Sequence, residues 1–270
     1  MNQHLWNNNT VYFIGAGPGD PELITVKGAR YLREADLIVF TDSLVSEDLL
    51  TDVKPDAVVL KSSGMTLEDV VQNLVRGIRE NKKVVRLHTG DPSVFGAIDE
   101  QIHLLKDEEI ESVVIPGVSS VFAAAAAVQA ELTIPELAQT VILTRTEGRT
   151  PVPEAESLRS LAAHHCTLAI YLSATLAEKV TSELLSAGWE KDTPVVIVYK
   201  ASWPDQKVIR TTVENLAGAI NENNIKSQTM ILAGKALGGN HKQARSRLYA
   251  ADFSHKYRKK EAAEKGNSVD

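Results

Sequence analysis

Residues 11–40 read VYFIGAGPGDPELITVKGARYLREADLIVF, and this stretch decides the fold class. An apolar run ends at Gly15, a glycine-rich turn follows, and residues 21–33 have the apolar spacing of a helix. A second apolar run at residues 36–40 completes a strand, helix and strand in that order. The order is typical of an α/β protein, and strands this continuously apolar are typical of a sheet covered on both faces.

The alternation continues to the end of the chain. A helix is predicted to start at Thr66, because threonine is a good N-cap and Asp69 follows three residues later. Residues 70–78 supply the apolar face of this helix. Further strands are predicted at residues 57–60, 83–87, 112–115, 140–143, 167–172, 194–199 and 228–232, and further helices at 94–106, 118–130, 154–163, 174–187 and 213–221. We predict two α/β domains with parallel or mixed sheets: an N-terminal tail 1–10, a first domain 11–117, a second domain 118–240 and a charged tail 241–270.

Composition narrows the class of protein. Hydrophobic residues make up 43% of the 270, and the longest apolar run, residues 121–128, is far shorter than the ~20 residues that span a bilayer. The start of the chain has no basic segment followed by an apolar one, so we expect a cytoplasmic protein with no membrane partner. Net charge is −6, and Cys166 is the single cysteine, which excludes an internal disulfide. Residues 241–270 carry +4 and the rest −10, so nucleic acid is not an expected partner.

Three glycine-bearing loops follow predicted strands. The first loop is residues 15–20 (GAGPGD), the second is residues 88–92 (HTGDP) and the third is residues 116–120 (PGVSS). Glycine lets the backbone approach a ligand closely, and strands of this kind end at a common sheet edge. We expect the three loops to converge there on a shared binding site.

Each loop also allows other interpretations. For the first loop the alternatives are an NAD(P) oxidoreductase and a glycine turn without ligand. The oxidoreductase is disfavoured, because Asp20 occupies the sixth position of the dinucleotide fingerprint and Pro18 lacks an N–H. Asp91 is either an acceptor for ribose hydroxyl or amino groups, or the N-cap of the next helix. The alanines after Ser120 suit a flat ligand or plain core packing equally well.

The three loops, in VYFIGAGPGDPELITVKGARYLREADLIVF, VVRLHTGDPSVFGA and IPGVSSVFAAAA, resemble those of the tetrapyrrole (precorrin) methylases, over roughly residues 11–239. Within the family, TDSLVSEDLL, SSGMTLEDV and QTVILTRTEGRTPVPE are most similar to the members that methylate precorrin-4, or its cobalt form, at ring carbon 11. The resemblance implies a homodimer that binds S-adenosylmethionine in a cleft between two α/β domains, releases S-adenosylhomocysteine and acts on a precorrin in cobalamin synthesis. A non-catalytic tetrapyrrole carrier and another precorrin or uroporphyrinogen methylase are the alternatives.

The resemblance also implies which residues form the site. Cofactor contacts of the family match Pro18, Thr89, Gly90, Asp91, Val94, Ser119, Ser120, Leu172 and Ala201. The relatives that methylate uroporphyrinogen differ at two of these, with glycine at Thr89 and methionine at Leu172. Asp42 and Lys61 are the nearest matches to the acid/base residues proposed in those relatives.

The substrate carries many carboxylates, and basic residues beside the predicted loops are candidates to hold them. Arg145 and Arg149 are the first candidates, with Lys27 next and Arg30, Lys61 and Lys200 also considered. We predict no protein-bound metal. His164 and His165 are adjacent, so on a helix they point about 100° apart, and His88 is a lone loop histidine.

Overall fold

A computed structural model describes residues 6–239, Ser254 and Lys256, and shows two five-stranded sheets with helices. The strands are β1 (Thr10–Gly15), β2 (Leu37–Phe40), β3 (Val58–Lys61), β4 (Val84–His88), β5 (Glu111–Ile115), β6 (Val141–Arg145), β7 (Thr167–Tyr171), β8 (Pro194–Tyr199), β9 (Lys207–Thr212) and β10 (Thr229–Ala233). The α-helices are α1 (Val26–Glu34), α2 (Leu67–Arg79), α3 (Ile98–Asp107), α4 (Ser120–Ala127), α5 (Leu158–Ala162), α6 (Ala177–Ser186) and α7 (Leu216–Glu222). Short 3-10 helices span Pro21–Leu23, Glu47–Leu50, Glu154–Glu156, Ala174–Leu176 and Lys235–Leu237.

The chain divides into two compact units. The first unit runs through Gln129 and also takes in residues 197–209 and 220–230. The second consists of residues 130–196, residues 210–219 and, among the residues that the structure describes, those from Ile231 on. The loop that joins β8 to β9 therefore belongs to the first unit.

The first sheet has the strand order β3-β2-β4-β1-β5, and its paired strands are all parallel. Alternate side chains of β1 face two cores, as the period of a strand requires. Tyr12 and Ile14 pack in one core with residues of α1, whereas Val11 and Phe13 pack in the other with residues of α2. The continuously apolar strands are thus covered on both faces, as the sequence predicts.

Local signals fix the start of α2 as predicted. The hydroxyl of Thr66 accepts the backbone N–H of Asp69, and the carboxylate of Asp69 accepts the N–H of Thr66, which makes a capping box. Val70, Leu74 and Ile78 lie one turn apart and are buried. The helix therefore begins where the cap is satisfied and buries the face that the apolar spacing indicates.

The second sheet has the order β6-β7-β10-β8-β9. Strand β6 pairs parallel to β7, while β10 pairs antiparallel to β7, so this sheet is mixed. The carboxyl ends of β6 and β7 lie side by side, with Arg145 opposite Tyr171.

Helix starts differ from the sequence prediction in a consistent way. The helix predicted at residues 21–33 begins as the 3-10 helix Pro21–Leu23, and α1 starts only at Val26. The helix predicted at 94–106 begins at Ile98, because Phe95 and Ala97 have φ of 55° and 48°, outside the helical region. The helices predicted at 154–163 and 174–187 also start with a 3-10 turn.

The sequence does not predict strand β9, because it is an edge strand and all six of its residues are exposed or half-buried. The predicted charged tail, 241–270, lies outside the described residues except for Ser254 and Lys256. Among the residues that the structure describes, no helix is both long enough and apolar enough to cross a bilayer.

Candidate functional site

The three glycine loops meet at one edge of the first sheet. They follow β1, β4 and β5, which are first, fourth and fifth in the chain but neighbours in the sheet, with β1 in the middle. The N–H of Gly90 donates to the carbonyl of Gly17 at 2.8 Å, and the N–H of Gly17 donates to the carbonyl of Gly90 at 3.2 Å. The expected convergence of the loops is confirmed.

The contact between the loops requires residues without side chains. A Cβ on Gly117 would lie 2.1 Å from the carbonyl oxygen of Gly90 and 2.7 Å from Cα of Gly15. A Cβ on Gly15 would lie 2.5 Å from Cα of Gly117. Neither glycine has a positive φ, so close backbone approach rather than conformation excludes larger residues here.

Asp91 links the second loop to the third. One carboxylate oxygen accepts the N–H of Ser93 at 2.8 Å, and the other accepts the N–H of Gly117 at 2.9 Å. Helix α3 has Ala97 as its N-cap, so Asp91 does not cap that helix. Its carboxylate instead closes a turn within the second loop and fixes the backbone of the third.

The first loop does not lead directly into an α-helix. The side chain of Asp20 accepts the N–H of Glu22 at 2.9 Å and caps the 3-10 helix, and α1 starts six residues after Asp20. A dinucleotide fingerprint needs the glycine loop to open a helix whose N-terminus faces the pyrophosphate. The geometry therefore does not favour the NAD(P) alternative.

The other predicted cofactor residues of the first unit lie on or beside these loops. Thr89 donates its hydroxyl to the carbonyl of Leu44 at 3.3 Å, and the N–H of Val94 donates to the carbonyl of Asp91 at 3.2 Å. Ser119 is the buried N-cap of α4, and Ser120 is its first residue.

A further loop, residues 200–206 between β8 and β9, rests on the first loop. The indole N–H of Trp203 donates to the carbonyl of Pro18 at 2.9 Å, and the N–H of Asp20 donates to the hydroxyl of Ser202 at 3.0 Å. Ala201, a predicted cofactor contact, is buried in this same loop. Sequence reasoning missed Trp203 and Ser202, because a lone loop residue gives no periodic signal and the contacts span more than 180 positions.

Asp42 and Lys61 follow neighbouring strands, β2 and β3. The carboxylate of Asp42 accepts the backbone N–H of Ser63 at 2.9 Å and its hydroxyl at 2.8 Å. Burial opposes ionisation of Asp42, but these two donors, helped by the charge of Lys61, hold its pKa below the usual value. Lys61 is exposed and pairs with Glu47, whose hydrogen bond and charge raise the pKa of the ammonium, with Asp42 contributing less. Asp42 is therefore an ionised carboxylate and Lys61 a cation at neutral pH.

Beneath the second loop, β4 carries two buried basic side chains. Burial lowers the pKa of Arg86 to about 10, and its guanidinium donates to Gln101, to Ser62 and to the carbonyl of Val39, each at 3.1 Å. His88 stacks on Phe13, and its Nε2 is buried without a hydrogen-bond partner in the described part of the chain. Burial, and to a smaller extent the charge of Arg86, lowers the pKa of His88 to about 3. His88 is thus a neutral core residue that supports the loop.

The predicted basic residues divide between the units. Lys27 is exposed in the first turn of α1. In the second unit the guanidinium of Arg145 donates to the carbonyls of Thr150 and Pro151 at 3.2 and 2.9 Å, so it anchors the loop that carries exposed Arg149. Leu172 follows β7 with a φ of 53° and is 66% exposed. The roles of these residues stay predictions.

Two further features of the described residues bear on the site. No group of three or more His, Cys, Asp or Glu is close enough to hold a metal ion within the described part of the chain. A cavity of about 180 Å³ lies in the second unit beside His165 and Trp189. Its described lining includes none of the predicted site residues, so the glycine loops and not this cavity are the candidate site.

The chain belongs to the tetrapyrrole (corrin/porphyrin) methylase family, whose model matches residues 10–217. It is 58% identical to cobalt-precorrin-4 C(11)-methyltransferase of Priestia megaterium, over 92% of this chain and 97% of that protein. It is 49% identical to the protein of the same name from Methanocaldococcus jannaschii, over 94% of this chain and 97% of that one.

The solved structures that are similar to this chain include two methyltransferases. The X-ray structure of the cobalamin biosynthetic enzyme cobalt precorrin-4 methyltransferase has a TM-score of 0.84 and 58% identity, covering 87% of this chain and 99% of that one. Uroporphyrin-III C-methyltransferase from Thermus thermophilus, solved with S-adenosylhomocysteine, has a TM-score of 0.72 and 28% identity, covering 84% of this chain and 93% of that one. The fold expected from the sequence, two α/β sheets of the methylase type, is confirmed.

The groups at the glycine loops suit an adenosyl amino acid. Thr89, Ser119 and Ser120 supply hydroxyls, and Asp91 supplies a carboxylate. Asp91 Oδ1 accepts the N–H of Ser93 and Oδ2 accepts the N–H of Gly117, and a carboxylate oxygen has a second lone pair for a ligand. This donor and acceptor set matches ribose hydroxyl, amino and carboxylate groups, so the residues present fit the expected methyl donor.

Proposed function

We propose that this chain methylates cobalt-precorrin-4 at ring carbon 11 with S-adenosylmethionine, as a step of cobalamin synthesis. The observation that carries the proposal is the 58% identity to an enzyme of that name, which extends over 92% of the chain. Identity to relatives named for the metal-free substrate is lower, 43% for the protein of Pseudomonas aeruginosa, which favours the cobalt form. A uroporphyrinogen-III C-methyltransferase of Priestia megaterium is less similar still, at 32%.

The glycine loops are the proposed holders of the methyl donor. S-adenosylmethionine, when bound, supplies an electrophilic methyl group and leaves as S-adenosylhomocysteine. Pro18 of the first loop, Gly90 of the second and Ser119 of the third are the proposed contacts of the methyl donor, and Asp91 ties the second loop to the third. Holding two reactants in line contributes about 7–11 kcal/mol to a reaction of this kind, so rigid positioning is the main task of these loops.

Asp42 and Lys61 are the proposed acid/base and substrate-holding residues. The attacking carbon belongs to the electron-rich macrocycle, so no protein nucleophile is required. The carboxylate of Asp42 is held by Ser63 and is ionised, which lets it accept a proton that a ring N–H must lose. The ammonium of Lys61 stays charged and is exposed, which suits contact with a substrate carboxylate.

We also propose that the enzyme is a cytoplasmic homodimer whose only macromolecular partner is its own copy. The family resemblance supports the dimer, and the strongly acidic body of the chain disfavours nucleic acid. Light scattering coupled to gel filtration measures the mass directly. A mass near twice 29.4 kDa supports the dimer, and a mass near 29.4 kDa contradicts it.

The test of function uses purified protein and S-adenosylmethionine labelled in its methyl group. Separate reactions contain cobalt-precorrin-4, metal-free precorrin-4 and uroporphyrinogen III, and the products are located by mass and NMR. We expect one added methyl at ring carbon 11, with the largest kcat/KM for the cobalt form. A macrocycle that binds without gaining label would indicate a carrier, and label only in uroporphyrinogen III would move the chain to another branch of the family.

A further inference from the structure

The loop between β8 and β9 contacts the first glycine loop at residues next to the one that pairs with the second loop. Three consecutive residues, Pro18, Gly19 and Asp20, contact it, through the indole N–H of Trp203, the ring of Trp203 and the hydroxyl of Ser202 respectively. Gly17, one residue earlier, is paired to Gly90 of the second loop. The backbone of the first loop is therefore held by hydrogen bonds from two other loops.

The match between Trp203 and Gly19 is steric as well as polar. A Cβ on Gly19 would lie 2.2 Å from Cδ1, 2.3 Å from Nε1 and 2.8 Å from Cγ of the indole. These distances are all too short for a real Cβ, so the ring fits against this position only because it is glycine. Gly19 has no positive φ, which leaves the ring as the reason for a glycine here.

The loop that carries Trp203 is itself closely tied. The N–H of Trp203 donates to the carbonyl of Lys200 at 3.0 Å, and the N–H of Ser202 donates to the side-chain oxygen of Gln206 at 2.7 Å. Lys200 pairs with Asp205 at 2.6 Å. Lys200 and Ser202 have φ of 48° and 68°, a backbone region that residues other than glycine seldom adopt. The loop holds an unfavourable conformation, and that conformation presents the hydroxyl of Ser202 and the indole of Trp203 to the first loop.

We propose that Trp203 is a positioning residue for the methyl donor: its indole fixes the backbone of residues 18–20 and, through its own loop, that of Ala201. This inference rests on the proposed function, because Pro18 and Ala201 are both predicted cofactor contacts. Loss of the indole N–H leaves the carbonyl of Pro18 without this donor and lowers the fraction of molecules whose first loop is ready to bind. The apparent affinity for the methyl donor falls in proportion to the fraction of binding-competent molecules. The rate of the chemical step at saturating donor changes little.

The experiment compares Trp203→Phe with Trp189→Phe. Trp189 is a matched control, since its buried indole N–H also donates to a backbone carbonyl, that of Ala162 at 2.8 Å, within the second unit. We expect Trp203→Phe to raise the Kd for S-adenosylhomocysteine and the KM for S-adenosylmethionine about 5- to 10-fold, the worth of one hydrogen bond. The kcat and the KM for cobalt-precorrin-4 should stay within about twofold. Trp189→Phe should lower stability and leave the Kd for S-adenosylhomocysteine unchanged.

A second pair of variants tests the contact itself. Gly19→Ala alone should raise the Kd for S-adenosylhomocysteine at least tenfold, whereas the same change added to Trp203→Ala should raise it no more than about twofold, because the clashing ring is gone. If Trp203→Phe does not fold, Ser202→Ala replaces it, because this change removes the acceptor of the Asp20 N–H and so also loosens the first loop. The Kd of Ser202→Ala for S-adenosylhomocysteine is then compared with that of Trp189→Phe. An unchanged Kd in folded Trp203→Phe, or in folded Ser202→Ala where Trp203→Phe does not fold, overturns the inference. Absence of binding by the unaltered protein overturns the proposed function instead.

Discussion

The carboxylate of Asp91 accepts the backbone N–H of Gly117 across 2.9 Å, and this bond joins the loop after β4 to the loop after β5. The two strands are not adjacent, since β1 lies between them. Asp91 therefore reaches across the end of β1 and sets the spacing of the two outer loops around the first. In the structure the carboxylate of Asp91 holds backbone, and its contact with a ligand is a prediction.

Asp91→Ala should weaken both cofactor binding and the fold. Two N–H groups, those of Ser93 and Gly117, lose their charged acceptor, and we expect the free energy of unfolding to fall by about 1–3 kcal/mol. Binding of S-adenosylhomocysteine should become undetectable by calorimetry. Asp69→Ala is the control, because it removes a capping carboxylate from α2, costs about 1 kcal/mol and should leave binding intact. Equal affinity in the two variants would remove Asp91 from the site.

Gly117→Ala should be poorly tolerated for lack of space. The new methyl would lie 2.1 Å from the carbonyl oxygen of Gly90, so the loops must separate, at a cost of about 1–3 kcal/mol or more. Gly218→Ala tests the opposite case, because Gly218 is in α7 with nothing within 4 Å of an added Cβ. That change should stabilise the protein by about 0.5–1 kcal/mol. Urea unfolding of both variants measures the difference, and similar values for the two would contradict the close approach of the loops.

His88 should make the protein sensitive to acid. Its pKa is about 3 when folded and the usual 6.5 when unfolded, so the unfolded chain binds the extra proton between these values. The stability that depends on neutral His88 is complete above pH 6.5 and is lost as the pH falls toward 3, by about 2 kcal/mol at pH 5. His88→Phe, which keeps a ring stacked on Phe13, should flatten the fall in unfolding free energy between pH 7 and pH 5. Exposed His164→Gln should retain the full dependence.

Asp42→Asn tests the proposed proton acceptor. The amide keeps the shape of the carboxylate beside Ser63 but cannot take a proton, so we expect kcat to fall about 100-fold with the Kd for S-adenosylhomocysteine unchanged. Because the pKa of Asp42 lies below its usual value, the unaltered enzyme should show no acid limb from this group between pH 6 and pH 8. Single-turnover methylation at both pH values measures these effects. A kcat within twofold of the unaltered enzyme would leave Asp42 without a catalytic role.

The sequence predicted the parts of this molecule that depend on neighbouring residues. The capping box of Thr66 and Asp69, and the buried strand β1, follow from local chemistry and periodicity. The late start of α3 could not be predicted in this way, because neither phenylalanine nor alanine is a residue type that indicates the positive φ of Phe95 and Ala97. The sequence indicated that β1, β4 and β5 are neighbours only through the glycine loop that follows each of them. The pairing of Trp203 with Gly19 joins distant parts of the chain, and no local pattern predicts it.

A crystal structure of this protein with S-adenosylhomocysteine would show the binding site directly. We expect the ligand to lie against Pro18, Gly90 and Ser119, with Asp91 still bonded to Gly117 and Trp203 still bonded to Pro18. A ligand bound elsewhere, such as the cavity beside His165 and Trp189, with the three loops bare, would contradict it.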